Sequence, residues 1–160
     1  MGMDTTILKA LTYGIRHLTR SLWPLVCLLA IASPSADAQV AVIAHLDAPA
    51  DTLASERLLD FYTGDVQTWN GTTTVVFFDL KPRNEIKKAF YHFLGKSPSR
   101  MKSIWMKRLL AGEGEPPQAL KSNREMLDKV ASTPGAIGFA HRDSVHDSVK
   151  VLAIIPISSP

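Results

Sequence analysis

An α/β fold built on a mixed, mostly parallel sheet flanked by helices is predicted by three observations. Short β-branched apolar runs alternate with amphipathic helical stretches from residue 40 to residue 155. The run at 73–78 is nearly continuous in apolar character, as a strand covered on both faces must be. No internal repeat or low-complexity segment interrupts that order.

The elements follow in turn. Residues 40–45 form a first strand, and Asp47-Ala48-Pro49-Ala50-Asp51 a loop after which Thr52 is placed to cap a helix. Leu58, Phe61 and Tyr62 make an i, i+3, i+4 stripe in that helix, and Gly64 stands where a C-terminal cap belongs. Trp69-Asn70-Gly71 reads as a turn, with Trp69 half-exposed beside it, and 73–78 as the second strand. Pro82 opens a helix in its first turn, with Ile86, Ala89, Phe90, Phe93 and Leu94 facing inward up to Gly95. Ser97-Pro98 supplies a cap and a first-position proline for the next helix, whose inward stripe is Met101, Ile104, Trp105 and Leu109. Residues 112–117 are a loop. Ser122-Asn123-Arg124-Glu125 is a capping box that leads a helix with Met126, Leu127 and Val130 inward. Pro134-Gly135 then turns the chain into strand 136–140, and a strand at 149–155 ends the domain.

The N-terminal segment has a separate logic. Lys9, Arg16 and Arg20 precede an apolar run at 21–32, and Ala36-Asp37-Ala38 follows as a small-x-small site. These are the parts of a secretory signal, so residues 1–38 are expected to direct export with cleavage between Ala38 and Gln39, and residues 39–160 to form the exported domain. The apolar run is shorter than the roughly 20 residues a bilayer span requires and contains Pro24, so no permanent membrane span is expected after cleavage; the alternative is a segment kept uncleaved as a membrane anchor. The single cysteine, Cys27, lies within the run, which leaves residues 39–160 without a disulfide, a thiolate metal site or a cysteine nucleophile.

Charge is unevenly placed. Nine of the 18 Lys and Arg residues lie between Lys81 and Arg108, opposed only by Glu85. Such a patch faces an anion, a partner or simply solvent. Export and the lack of any reading motif exclude nucleic acid. His45, His92, His141 and His146 have no metal-ligand spacing, although Asp143 and Asp147 stand near the last two; no metal site and no cofactor are expected. No G-x-S-x-G elbow and no spaced carboxylate pair is present, so a catalytic role is not expected. Lys81, Arg83, Asn84 and Glu85 are the candidate ligand-binding residues, since cations at a helix start just past a buried strand sit where open α/β sheets bind ligands. Lys87, Lys88, Arg100, Lys102 and Lys107 are the candidate basic face for a protein partner.

Three segments resemble a known family. Leu58-Leu59-Asp60-Phe61-Tyr62-Thr63-Gly64 followed by Trp69-Asn70-Gly71, and then Pro134-Gly135-Ala136-Ile137-Gly138-Phe139, are similar to stretches of the phosphate-binding periplasmic proteins of ABC transporters. The resemblance implies a single lobe of the periplasmic-binding-protein type and the binding of phosphate or a related small anion in phosphate uptake or sensing. It departs where that family places its glycine- and hydroxyl-rich anion loop: residues 81–86 hold no Gly, Ser or Thr, and Glu85 in the first helical turn is suited to meeting the free amides itself. The alternative function is therefore a ligand-less interaction module that docks its basic face on an envelope transporter or sensor protein.

Overall fold

A computed structural model describes residues 39–157; the expected signal segment, residues 1–38, lies outside the described residues. Five strands form one sheet in the order β3-β2-β4-β1-β5. They are β1 (Gln39–Ala44), β2 (Val76–Leu80), β3 (Gln118–Leu120), β4 (Ala136–His141) and β5 (Lys150–Pro156). β2 pairs in parallel with β3 and β4, while β1 runs antiparallel to both β4 and β5, so four strands point one way and β1 opposes them. The helices are α1 (Ser55–Thr63), α2 (Glu85–Phe93), α3 (Pro98–Ala111) and α4 (Asn123–Ser132), and a 3-10 turn at Arg142–Ser144 links β4 to β5.

Strand alternation puts helices on both faces. Phe139 of β4 stacks on Phe90 of α2 at 4.0 Å and meets Tyr62 of α1 at 5.9 Å, and Phe77 of β2 meets Trp105 of α3 at 5.5 Å. Gly138 faces the other way, under Met126 and Val130 of α4; a methyl group there would overlap the Met126 sulfur and stand 3.0 Å from Val130. With both faces covered, Val40 through Ala44 of β1 are wholly buried, as a near-continuous apolar run requires.

Local chemistry explains most element ends. Ser97 accepts from Arg100 N at 3.2 Å with Pro98 in the first turn of α3, and Ser122 accepts from Glu125 N at 3.2 Å at the start of α4. The Glu125 carboxylate returns to Lys121 N at 2.6 Å, one residue before the cap. Gly64 ends α1 in the left-handed region at φ 79°, and its missing Cβ makes room for the Trp105 ring.

Several expectations are corrected. α1 starts after Ala54, not at a Thr52 cap, because Leu53 is held extended by its hydrogen bond to Leu152 O (3.3 Å). β2 lies about three residues later than the apolar run suggested: Asn70 Oδ1 gathers the amides of Thr72 and Thr73, and Thr68 bridges Thr74, so the threonines belong to the turn. Trp69 is buried, its indole donating to Gly135 O at 2.9 Å. Pro82 and Arg83 form a turn ahead of α2; Arg83 has φ 71°, incompatible with helix, and Asn84 takes the cap by accepting from Ile86 N and Lys87 N. In α2 it is Tyr91, with Phe90, that packs inward while Phe93 is exposed; likewise Leu109 of α3 is exposed. β3, in the segment after the 112–117 loop, is an additional strand.

Candidate functional site

β2 ends in Asp79 and Leu80, and Asp79 points to the face that α2 and α3 cover, since it alternates with Phe77. From β2 the chain passes over that face through α2 and α3 to reach β3; from β3 it passes over the other face through α4 to reach β4. Neighbouring parallel strands whose connections leave to opposite faces open a crevice, the usual ligand position of α/β sheets. A cavity of about 590 Å³ lies here. It is bounded by the α2–α3 pair, the β2–β3 edge, the 82–84 turn and the Pro116-Pro117 segment that leads into β3.

Its base is a buried ion pair. Lys87 Nζ donates to Asp79 Oδ2 at 2.6 Å and to Leu80 O at 2.8 Å, and Tyr91 Oη donates to the same carboxylate oxygen at 2.8 Å. Asp79 Oδ1 accepts from Leu80 N at 2.7 Å. The two charged side chains are only 12% and 10% exposed. Burial, and next the Asp79 charge, push the Tyr91 phenol well above its ordinary value, so it stays a neutral donor. A buried carboxylate thus has an ammonium and two neutral donors, the arrangement that makes such a charge tolerable.

With Asp79 neutralised by Lys87, the remaining charged side chains lining the cavity are Arg83, Lys88 and Lys102. Lys88 meets Glu85 at 2.7 Å on the exposed side of α2. Arg83 and Lys102 form no ion pair among the described residues. The rest of the lining is largely apolar, with Met101, Trp105, Met106 and Leu109 on one side of α3, at the i, i+4, i+5, i+8 spacing of a single helical face. The Trp105 indole donates to Tyr62 O at 2.9 Å, which fixes its ring in the wall.

The candidate residues are therefore sorted by the fold. Arg83, Asn84, Lys87, Lys88 and Lys102 are brought to one cavity; Lys81, Glu85, Arg100 and Lys107 are outside its lining. Lys87 does not stand on an exposed basic face, because Asp79 holds it inward. Arg100 and Lys107, seven residues apart, share the solvent side of α3 away from Lys102. Asn84 spends its carbonyl oxygen on the helix amides, so those amides are already satisfied. Asp79 and Tyr91 were not foreseen, although an acid at the end of an apolar β-branched run was the available signal. His141 Nδ1 accepts from Asp143 N and His146 Nδ1 bonds Ser148 Oγ; among the described residues no three His, Cys, Asp or Glu side chains converge as a metal site would need. No described helix is long and apolar enough to cross a membrane.

No family model matches the sequence, and no curated protein does. Solved structures do match the fold. A phosphate ABC transporter substrate-binding protein from Clostridium perfringens, solved with bound phosphate, aligns over 72% of this chain and 44% of its own, with 19% identity and a TM-score of 0.61. An ABC-type phosphate transport receptor from Vibrio cholerae aligns over 72% and 45% with 19% identity and a TM-score of 0.58. PstS from Borrelia burgdorferi aligns over 72% and 47% with 16% identity and a TM-score of 0.54. The chain spans less than half the length of these neighbours. The likeness establishes the fold alone: the described domain shares the α/β fold of the matched part of these structures.

Proposed function

We propose that this chain is an exported, non-catalytic binding protein whose cavity takes phosphate or a related small oxyanion in phosphate uptake or sensing. The observation that carries the reading is the cavity's charge balance. Among the described residues, Arg83 and Lys102 reach it without an ion pair and Lys88 reaches it from its surface pair with Glu85, while Asp79, the one acid in the lining, is neutralised by Lys87. The fold supports it, since neighbours described as phosphate receptors share that fold and one was solved with phosphate. Because Asn84 occupies the first amides of α2, the anion would be held by side chains, with Arg83 able to present two N–H groups. Side-chain cations at a partly open site give modest, salt-sensitive affinity.

Calorimetric titration of the purified protein with phosphate, at low and physiological salt, tests this. Saturable binding that weakens at least tenfold in Arg83→Ala is expected; no binding at millimolar phosphate refutes the reading. Export and cleavage beside Ala38 belong to the same proposal, and intact mass of the secreted protein beginning at Gln39 checks them.

A second reading rests on α3. Met106 and Leu109 are 47% exposed and Leu110 82%, next to Lys102 and Lys107, an apolar strip bordered by cations that suits an envelope protein partner such as a transporter or sensor. Under that reading, charge reversal at Lys102 and Lys107 abolishes partner capture while phosphate has no effect on it.

A further inference from the structure

We infer that the cavity selects an organic oxyanion, an anionic head joined to an apolar body, over the bare inorganic ion. The inference rests on the proposed anion reading and specifies its ligand class. Size gives the first argument. A tetrahedral oxyanion occupies only a few water-sized volumes of about 30 Å³ each, whereas the cavity measures about 590 Å³, within the range of sites that enclose small organic ligands. Bare phosphate would leave most of that space as water against apolar walls.

The second argument is the composition of those walls. The cations Arg83, Lys87 and Lys88 come from the turn and α2, while α3 supplies Met101, Trp105, Met106 and Leu109 and a single cation, Lys102. Met106 and Leu109 are each 47% exposed, although both line the cavity, so they lack cover that a ligand body would give. The fixed Trp105 ring and the polarisable Met106 thioether suit a flat or chain-like apolar group. The third argument is a donor in reserve. Lys87 uses two of its three ammonium hydrogens on Asp79 and Leu80, and among the described residues no hydrogen-bond acceptor takes the third. An anionic head beside Arg83 and Lys88 would engage it, which places the head on the α2 side and leaves the α3 wall for the body.

Phenyl phosphate, inorganic phosphate and phenol, each titrated into the purified protein by calorimetry and followed by tryptophan fluorescence, test the inference. Phenyl phosphate is expected to bind at least tenfold more tightly than inorganic phosphate, with phenol far weaker than either. Met106→Gln combined with Leu109→Gln, at half-exposed positions whose folding is checked by circular dichroism, is expected to bring the ratio within about threefold of one. Inorganic phosphate binding as tightly as phenyl phosphate overturns the inference and leaves the anion reading standing. Binding of phenol as tight as that of phenyl phosphate overturns both, as does a failure of both phosphates to bind. A ratio that survives the double substitution overturns the assignment to the α3 wall.

Discussion

Replacing Arg83 by glycine should make the protein more stable while weakening its hold on an anion. Arg83 has φ 71°, the third residue of a Lys81-Pro82-Arg83-Asn84 turn in which proline suits the second position and glycine normally fills the third. A side chain in that region costs about 1–2 kcal/mol. Glycine removes this cost but adds back about 0.4–1 kcal/mol of unfolded-state entropy. The Arg83 side chain is exposed and forms no salt bridge among the described residues, so little is lost on the folded side. The net is a gain of about 0.5–1 kcal/mol, or about 2–4 °C in Tm for a domain of this size. A charge-assisted hydrogen bond to a bound anion contributes about 1.5–3 kcal/mol, so the same change should raise Kd about tenfold or more. Arg83→Ala separates the two effects, because alanine keeps the strain: binding falls as much and Tm stays within about 2 °C. Thermal unfolding and phosphate titration on the three proteins decide the matter. A lower Tm for Arg83→Gly would refute the strain argument, and unchanged Kd in both variants would remove Arg83 from the site.

Three further outcomes follow from the packing. Asp79→Asn strands the Lys87 ammonium at 12% exposure and should cost about 2–4 kcal/mol in urea unfolding; adding Lys87→Met should recover part of that loss, whereas independent, additive losses would refute the coupling. Gly138→Ala drives a methyl group into Met126 and Val130 and should cost about 1–3 kcal/mol; a neutral effect would mean that α4 shifts freely on the sheet. The Asp65 carboxyl is held below its ordinary value of 3.8, first by the Thr63 hydroxyl and then by Arg108, with burial opposing. A depressed folded value means the contribution is present above about pH 4 and lost as pH falls through the folded value, so Asp65→Asn should flatten the acid limb of stability there and leave the neutral plateau's pH slope unchanged. The side chain is 59% exposed, so the effect is small and shrinks with salt.

The features legible in the sequence are those whose cause lies within four or five residues. The Ser97-Pro98 start of α3, the Ser122 cap of α4 and the Gly64 stop of α1 are local hydrogen-bond and backbone chemistry, and each stands where its residues indicated. The apolar runs indicated four of the five strands of the α/β sheet, and the three quoted segments carried the likeness that the solved structures bear out in fold. β3 escaped notice because three residues carry no periodicity; it exists through parallel pairing with β2. Tyr91 is buried and Phe93 exposed because α2 turns the Tyr91 hydroxyl onto Asp79 of β2, a contact between distant segments that no helical stripe specifies.

For the site, the sequence by itself determined that cations crowd the segment from Lys81 to Arg108 and that a helix begins just past a buried strand. Only the tertiary structure decided which of those cations serve the cavity. Residues 79, 87 and 91 meet because β2 delivers Asp79 to the face on which α2 lies, and a carboxylate moved out of water must draw its counter-ion in with it. That demand takes Lys87 out of the exposed patch and commits its charge to Asp79, which leaves Arg83, Lys88 and Lys102 as the lining cations that no buried acid holds. Charge content is a property of the chain, but charge availability is set by which opposite charge the fold buries beside it.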